Sequence, residues 1–204
     1  MVWGQIAERL VGFGFKKRAG MIFTRELADD MIGWVGLNTA SRHTAVGEFE
    51  VNPVVGVRHQ GIERVVAELR GKRFHAYEPP TVCSPIGYIM PDARYRAWMV
   101  STLETSNTSV GELTDAIQEY AVPFMEASAS VESVCDLMDQ RLGFDHQLAY
   151  RRPVGWWLAG DHNRAIALLD ATEADIRDED NAYAVELRAF IEAFRVRFLG
   201  SSPD

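Results

Sequence analysis

Three β-prone runs, separated by gaps too short for a crossover, constrain this chain more than any other feature in it. Residues 21–27, 31–37 and 49–57 are rich in β-branched and aromatic side chains. Only residues 28–30 lie between the first two, and the polar residues 38–47 between the second and third. A parallel connection needs a crossover of a dozen or more residues that is usually helical, so neighbouring antiparallel strands are expected. The runs predict a meander that buries one face.

The flanking segments supply covers for that face. Val2, Ile6 and Leu10 recur every fourth residue beside Trp3 and Ala7, so residues 2–11 read as a short amphipathic helix stopped at Gly12 and Gly14. Ile62, Val65, Val66 and Leu69 predict a second helix, ended by Gly71, whose stripe covers the sheet. Gly33 and Gly36 point to a bulge or a close approach in the second strand, and Pro53 puts the third strand at an edge or breaks it. Residues 78–85 contain Pro79, Pro80 and Pro85 and read as irregular, while 86–90 and 94–103 read as a fourth and fifth strand. The expected class is α+β: an antiparallel sheet of four to five strands with covering helices, followed by a C-terminal helical bundle.

Beyond Leu103 the apolar period changes from that of a strand to that of a helix. Ser109 and Glu112 have capping-box spacing, and Val110, Leu113, Ile117, Tyr120 and Ala121 form a stripe that Pro123 ends or kinks. Val131, Val134, Cys135, Met138 and Leu142 form the next stripe, stopped by Gly143. Residues 147–159 read as helix broken at Pro153, and Asp161 as the cap of a helix through Ala165, Leu169 and Ile176. Asp180 reads as the cap of the last helix. Its stripe of Tyr183, Leu187, Phe190, Ile191, Phe194 and Phe198 must dock, because left exposed it invites aggregation. The chain thus divides into a sheet region, 1–103, and a helical region, 104–204, packed together as one unit.

Two segments resemble known families. From Leu158 to Ile166 an apolar residue, a small residue, a glycine and a polar turn lead into Ala165. This resembles the turn between the helices of a tetratricopeptide unit, and it implies one helical hairpin over residues 150–177, where about three units make a stable array. At the N-terminus, Leu10, Gly14, Phe15, Lys16, Lys17, Phe23, Thr24 and Arg25, followed by apolar strands around Trp34 and Phe49, resemble the opening of the bacterial domains known as DUF4304. That resemblance covers residues 1–60. It implies a bacterial protein and, by analogy with relatives of such domains, an immunity-type role.

Candidate chemistry is sparse. His43, His59, His75, His146 and His162 have no second histidine at helical spacing, and no Cys-x-x-Cys occurs, so no metal or cofactor is expected. Gly12 to Lys17 follows a helix and lacks a Gly-Lys-Ser/Thr ending, so it reads as a helix stop rather than a phosphate loop. Cys83 sits among prolines with nothing nearby in sequence to lower its pKa, and no catalytic residue is assigned. Two clusters stand out as interaction candidates. Arg151, Arg152, Trp156 and Trp157 combine arginine with tryptophan, a pairing common both at hot spots and at ordinary helix junctions. Asp175, Asp178, Glu179 and Asp180 fall where one helix ends and another begins. Arg25, Arg58 and Arg96 are the candidate polar groups of a pocket.

Twenty-nine acidic against 21 basic residues give a net charge of −8, which repels nucleic acid and serves solubility or a basic partner. No apolar run is long enough for a membrane helix, the N-terminus lacks a signal pattern, and two distant cysteines fit a reducing compartment. The leading expectation is a cytoplasmic, non-enzymatic protein whose acidic surface engages a basic protein partner, immunity-like in character. The alternative is a small-molecule binder or enzyme with its pocket between the sheet and the C-terminal helices. A third reading makes the helical half a homo-oligomeric scaffold.

Overall fold

The long central strand organises the molecule. The computed structural model describes residues 2–41, 45–101 and 108–200. Helix α1 (Val2–Gly12) leads into β1 (Lys16–Lys17), β2 (Ile22–Ala28), β3 (Met31–Ala40) and β4 (Glu48–His59). Consecutive strands pair antiparallel throughout, as the short gaps require. Strand β4 is twelve residues long and pairs with β3 along most of its length. Its other side pairs with two short strands end to end, β5 (Val82–Pro85) against 54–57 and β6 (Trp98–Ser101) against 48–51.

Several local expectations change in this context. Strand β4 is neither an edge nor broken at Pro53. Pro53 falls at 52–53, the gap between the β5 and β6 pairings, where a missing N–H costs the ladder least. Residues 82–85, expected to be irregular, form β5, and the strand expected at 86–90 is a 3-10 turn over Ile86–Tyr88. The bulge lies between Glu26 and Ala28 rather than at a glycine. Gly36 instead admits the Trp34 ring, which would stand 2.2 Å from a Cβ there.

Cross-strand partners share a face, so Phe23, Val35, Val55 and Val57 line one side and are fully buried. Over that side pack α3 (Thr108–Ala116) and α4 (Val122–Ala127), the latter bringing Met125 onto Gly33. The two are joined by a π-helical turn, Ile117–Ala121, in which Val122 N donates to Ile117 O five residues back. The widened turn comes just before Pro123, which has no N–H to give. Helix α3 begins at Thr108, so Ser109 lies inside its first turn, and residues 102–107, where the strand period gives way to the helical one, lie outside the described residues.

Helices α2 (Gln60–Leu69), α5 (Val131–Asp139), α6 (Asp145–Leu158), α7 (His162–Asp175) and α8 (Ala182–Leu199) complete the chain. Helix α6 continues through Pro153 instead of breaking there. Proline in a helix interior costs about 3 kcal/mol, but Tyr150, Arg151, Pro153, Val154 and Trp156 are all buried in this position. Gly155 lets α6 approach α5, since a Cβ would stand 2.8 Å from Cys135 Sγ and Met138 Cε. The cap of α8 is Asn181, one residue past Asp180, and its Oδ1 accepts from Ala184 N at 3.0 Å. The α6–α7 hairpin forms with Asp161 accepting from Arg164 N. Leu187, Phe190, Ile191 and Phe194 of α8 are buried, so the stripe is docked. Among the described residues no helix is long and apolar enough to cross a membrane.

Candidate functional site

Strand β4 ends on two residues that begin the site. Val57 faces the helix-covered core, so Arg58 alternates to the opposite face, where residues 72–81 fold over it. Its Nε donates to Gln60 Oε1 at 3.0 Å, and its two terminal nitrogens donate to the carbonyls of Pro79 and His75. His59 then caps α2, its Nδ1 accepting from Ile62 N at 3.3 Å. That bond requires the neutral ring, and burial lowers the His59 pKa accordingly, against the pull of Asp30.

Helix α2 turns Glu63 inward onto the same place. Glu63 Oε2 lies 3.5 Å from Arg58 NH1, and Glu63 Oε1 accepts from Thr81 Oγ1 at 2.8 Å. From α6, Arg151 NH2 donates to Glu63 Oε2 at 3.1 Å and NH1 donates to Thr81 O at 3.3 Å. Arg151 Nε is 2.7 Å from Glu63 Oε1, yet its N–H is not aimed at that oxygen, and it has no well-formed hydrogen bond. The side chains of Arg58 and Arg151 are 1% exposed and that of Glu63 is 7% exposed. Two buried guanidiniums therefore share one buried carboxylate. Burial pushes Arg58 down to about 10, with Glu63 pulling it up and Arg151 pushing it further down. It remains protonated at neutral pH, so the buried cluster carries a surplus positive charge, which Glu78 at the cleft wall only partly offsets.

A cleft of about 180 Å³ opens above this cluster. Arg58, Glu63 and Arg151 lie at its base, and Arg70, Lys72, Arg73, His75, Glu78 and Gln147 line it further out. Five cations face two carboxylates there, in a chain whose net charge is −8. Arg73 is exposed and makes no ion pair among the described residues. The arrangement can attract an anion, because cations outnumber carboxylates around the cleft and the local field is positive.

The candidates named from sequence are divided among several places. Arg58 and Arg151, expected in a pocket and at an interaction surface respectively, meet in the same cluster. Arg25 instead pairs with Glu126 on α4 at 3.0 Å, and Arg96 is exposed, its guanidinium 5.4 Å from the centre of the Trp98 ring. Arg152 and Trp156 both donate to Asp139 of α5. Trp157 stacks on His162 at 3.9 Å and packs against Phe194 and Phe198, closing the corner of α6, α7 and α8. Asp175, Asp178, Glu179 and Asp180 are exposed around the α7–α8 connection, with Glu179 Oε2 accepting from Asn181 Nδ2. Cys83 lies on β5 rather than in an open loop, and burial pushes its thiol up to about 11. Such a thiol is a poor nucleophile at neutral pH.

Sequence reasoning missed Glu63, Thr81, Arg70, Lys72, Arg73 and Gln147. A signal existed for part of the set, since Arg70, Lys72 and Arg73 put three cations in four residues directly after α2. Nothing in the sequence marks Glu63, a carboxylate beside an apolar stripe. Among the described residues no three His, Cys, Asp or Glu side chains are grouped to hold a metal.

The fold and the site define an α+β protein with a basic cleft set over a buried arginine–glutamate–arginine cluster. No family model matches the chain, and neither a curated protein nor a solved structure shows significant similarity to it.

Proposed function

We propose that this protein binds a small anionic ligand in the cleft between α2, residues 72–80 and α6. The observation that carries the reading is the charge imbalance at the base of the cleft. Arg58 and Arg151 are buried against the single carboxylate of Glu63. A buried charge in excess of its counter-ions is costly, and a ligand anion offsets part of that cost. This is the small-molecule reading of the sequence. Its pocket uses Arg58 but neither Arg25 nor Arg96.

A second reading keeps the immunity-like role suggested by the resemblance to DUF4304 domains, in which an acidic surface meets a basic protein. It is favoured by the exposed carboxylates of Asp175, Asp178 and Asp180, which pair with no cation among the described residues. The free thiols of Cys83 and Cys135 support a cytoplasmic setting for either reading.

Calorimetric titration at low salt tests the two together. Under the first reading, phosphate or citrate binds saturably, Arg73→Ala weakens binding roughly fivefold, the scale of one part-exposed charge contact, and Arg152→Ala has no effect. Under the second, polylysine binds the wild-type chain and fails to bind a D175K/D178K/D180K variant. Absence of any saturable anion binding overturns the first reading.

A further inference from the structure

The rim of the cleft already holds an anion of its own. Arg70 Nε and NH2 donate to Glu186 Oε1 on α8 at 3.1 and 2.7 Å, and Lys72 Nζ donates to the same oxygen. Arg70 is fixed from two further sides. Its guanidinium stacks on the Tyr150 ring at 3.9 Å, and NH1 donates to Gln147 Oε1 at 3.2 Å. Three N–H donors from two cations thus converge on one oxygen, an arrangement that a phosphoryl oxygen accepts equally well. Hydrogen bonds from Lys72 and Arg70 lower the Glu186 pKa and hold the side chain as a carboxylate.

Glu63 and Glu186 differ in how easily they leave their cations. Glu63 is 7% exposed and bonded to Thr81 and Arg151, so moving it strands buried charges. Glu186 is 38% exposed, and its charge can swing into water at little cost. With Glu186 swung out, Glu63 and Glu78 face five cations, which leaves three positive charges over. A monocarboxylate neutralises one of them. A phosphate monoester, carrying about −1.5 to −2 at neutral pH, neutralises up to two. The cleft, at about 180 Å³, is smaller than the pockets of roughly 300–1,000 Å³ that enclose drug-sized ligands. It suits a phosphoryl group with a small substituent.

On the basis of the anion-binding reading above, the geometry points to a phosphate monoester as the ligand. The ligand enters by displacing Glu186 from Arg70 and Lys72, so occupancy loosens the first turns of α8 from α2. Glu186 is a built-in competitor, and α8 reports whether the cleft is filled.

Calorimetry at low salt on the full chain, with phenyl phosphate, inorganic phosphate and malonate as probes, tests this. Wild type is expected to bind phenyl phosphate more tightly than either of the others. Glu186→Gln, which keeps the shape and removes the competing charge, is expected to bind phenyl phosphate about fivefold more tightly. Amide hydrogen exchange over residues 182–187 is expected to accelerate when wild type is saturated with phenyl phosphate. That measurement decides the point by itself if the variant misfolds by circular dichroism. Unchanged or weaker binding by a folded Glu186→Gln, or unaltered exchange at 182–187, overturns displacement while leaving anion binding intact. Malonate or inorganic phosphate binding as tightly as phenyl phosphate overturns the ligand class alone. Failure of all three probes to bind either protein overturns this inference and the anion-binding reading together.

Discussion

Arg151 and Arg152 are neighbours in the chain and enter two clusters of the same composition with opposite physics. Arg151 joins Arg58 around Glu63, with exposures of 1%, 1% and 7%. Arg152 joins Arg164 around Asp139, with exposures of 33%, 46% and 17%. In the second cluster Trp156 Nε1 also donates to Asp139, and Arg164 stacks on the Trp156 ring at 3.9 Å. Both clusters put two arginines on one carboxylate. At the Asp139 cluster, water screens the surplus charge, and the group is an ordinary brace between α5, α6 and α7. At the Glu63 cluster the surplus is trapped below a cleft, and the same composition becomes a device for attracting an anion. What separates them is the dielectric around them, since the Coulomb energy of a pair scales inversely with it.

Removing each central carboxylate breaks the comparison most directly. Glu63→Gln leaves two buried guanidiniums without a counter-charge and is expected to cost about 3–5 kcal/mol in urea unfolding. Asp139→Asn, in the part-exposed cluster, is expected to cost less, about 1–2 kcal/mol. Salt sharpens the contrast: the Asp139→Asn deficit should shrink in 1 M salt, where the screening length falls to about 3 Å, while the Glu63→Gln deficit persists. Equal costs for the two substitutions would show that burial does not distinguish the clusters.

A smaller effect comes from the cap that aims Glu63. His59 has its folded-state pKa lowered below 6.5 by burial, so the native state binds fewer protons than the unfolded state as pH falls through that range. The contribution is fully present above pH 6.5 and is lost on acidification toward the folded-state pKa. The urea midpoint should therefore decline gently below pH 6.5, and His59→Asn, which caps without titrating there, should flatten the decline. A decline that survives His59→Asn would assign it to another group.

Much of the architecture was legible because strand and helix periods are local. The meander over residues 21–57, α1, α2 and the docked stripe of α8 follow from spacing alone. Where the reading went astray, a nonlocal partner decided the outcome. Residues 82–85 become a strand because β4 offers them an open side at 54–57, which outweighs the prolines nearby. Pro153 stays helical because its helix is buried on α5 and α2. Of the site, Arg58 was visible as a pocket candidate and Arg151 as an unusual arginine, but not as members of one cluster.

The amino-acid sequence by itself determined the alternation that turns Arg58 away from the core and the run of cations from Arg70 to Arg73. It also set the positions at which helices begin, to within a residue or two. Only the tertiary structure decided that Glu63 meets an arginine 88 residues further along the chain, and that Arg70 meets a glutamate 116 residues away. Periodicity reports which way a side chain faces. Charge pairing depends on what stands opposite, and that is fixed only when helices α6 and α8 pack against α2.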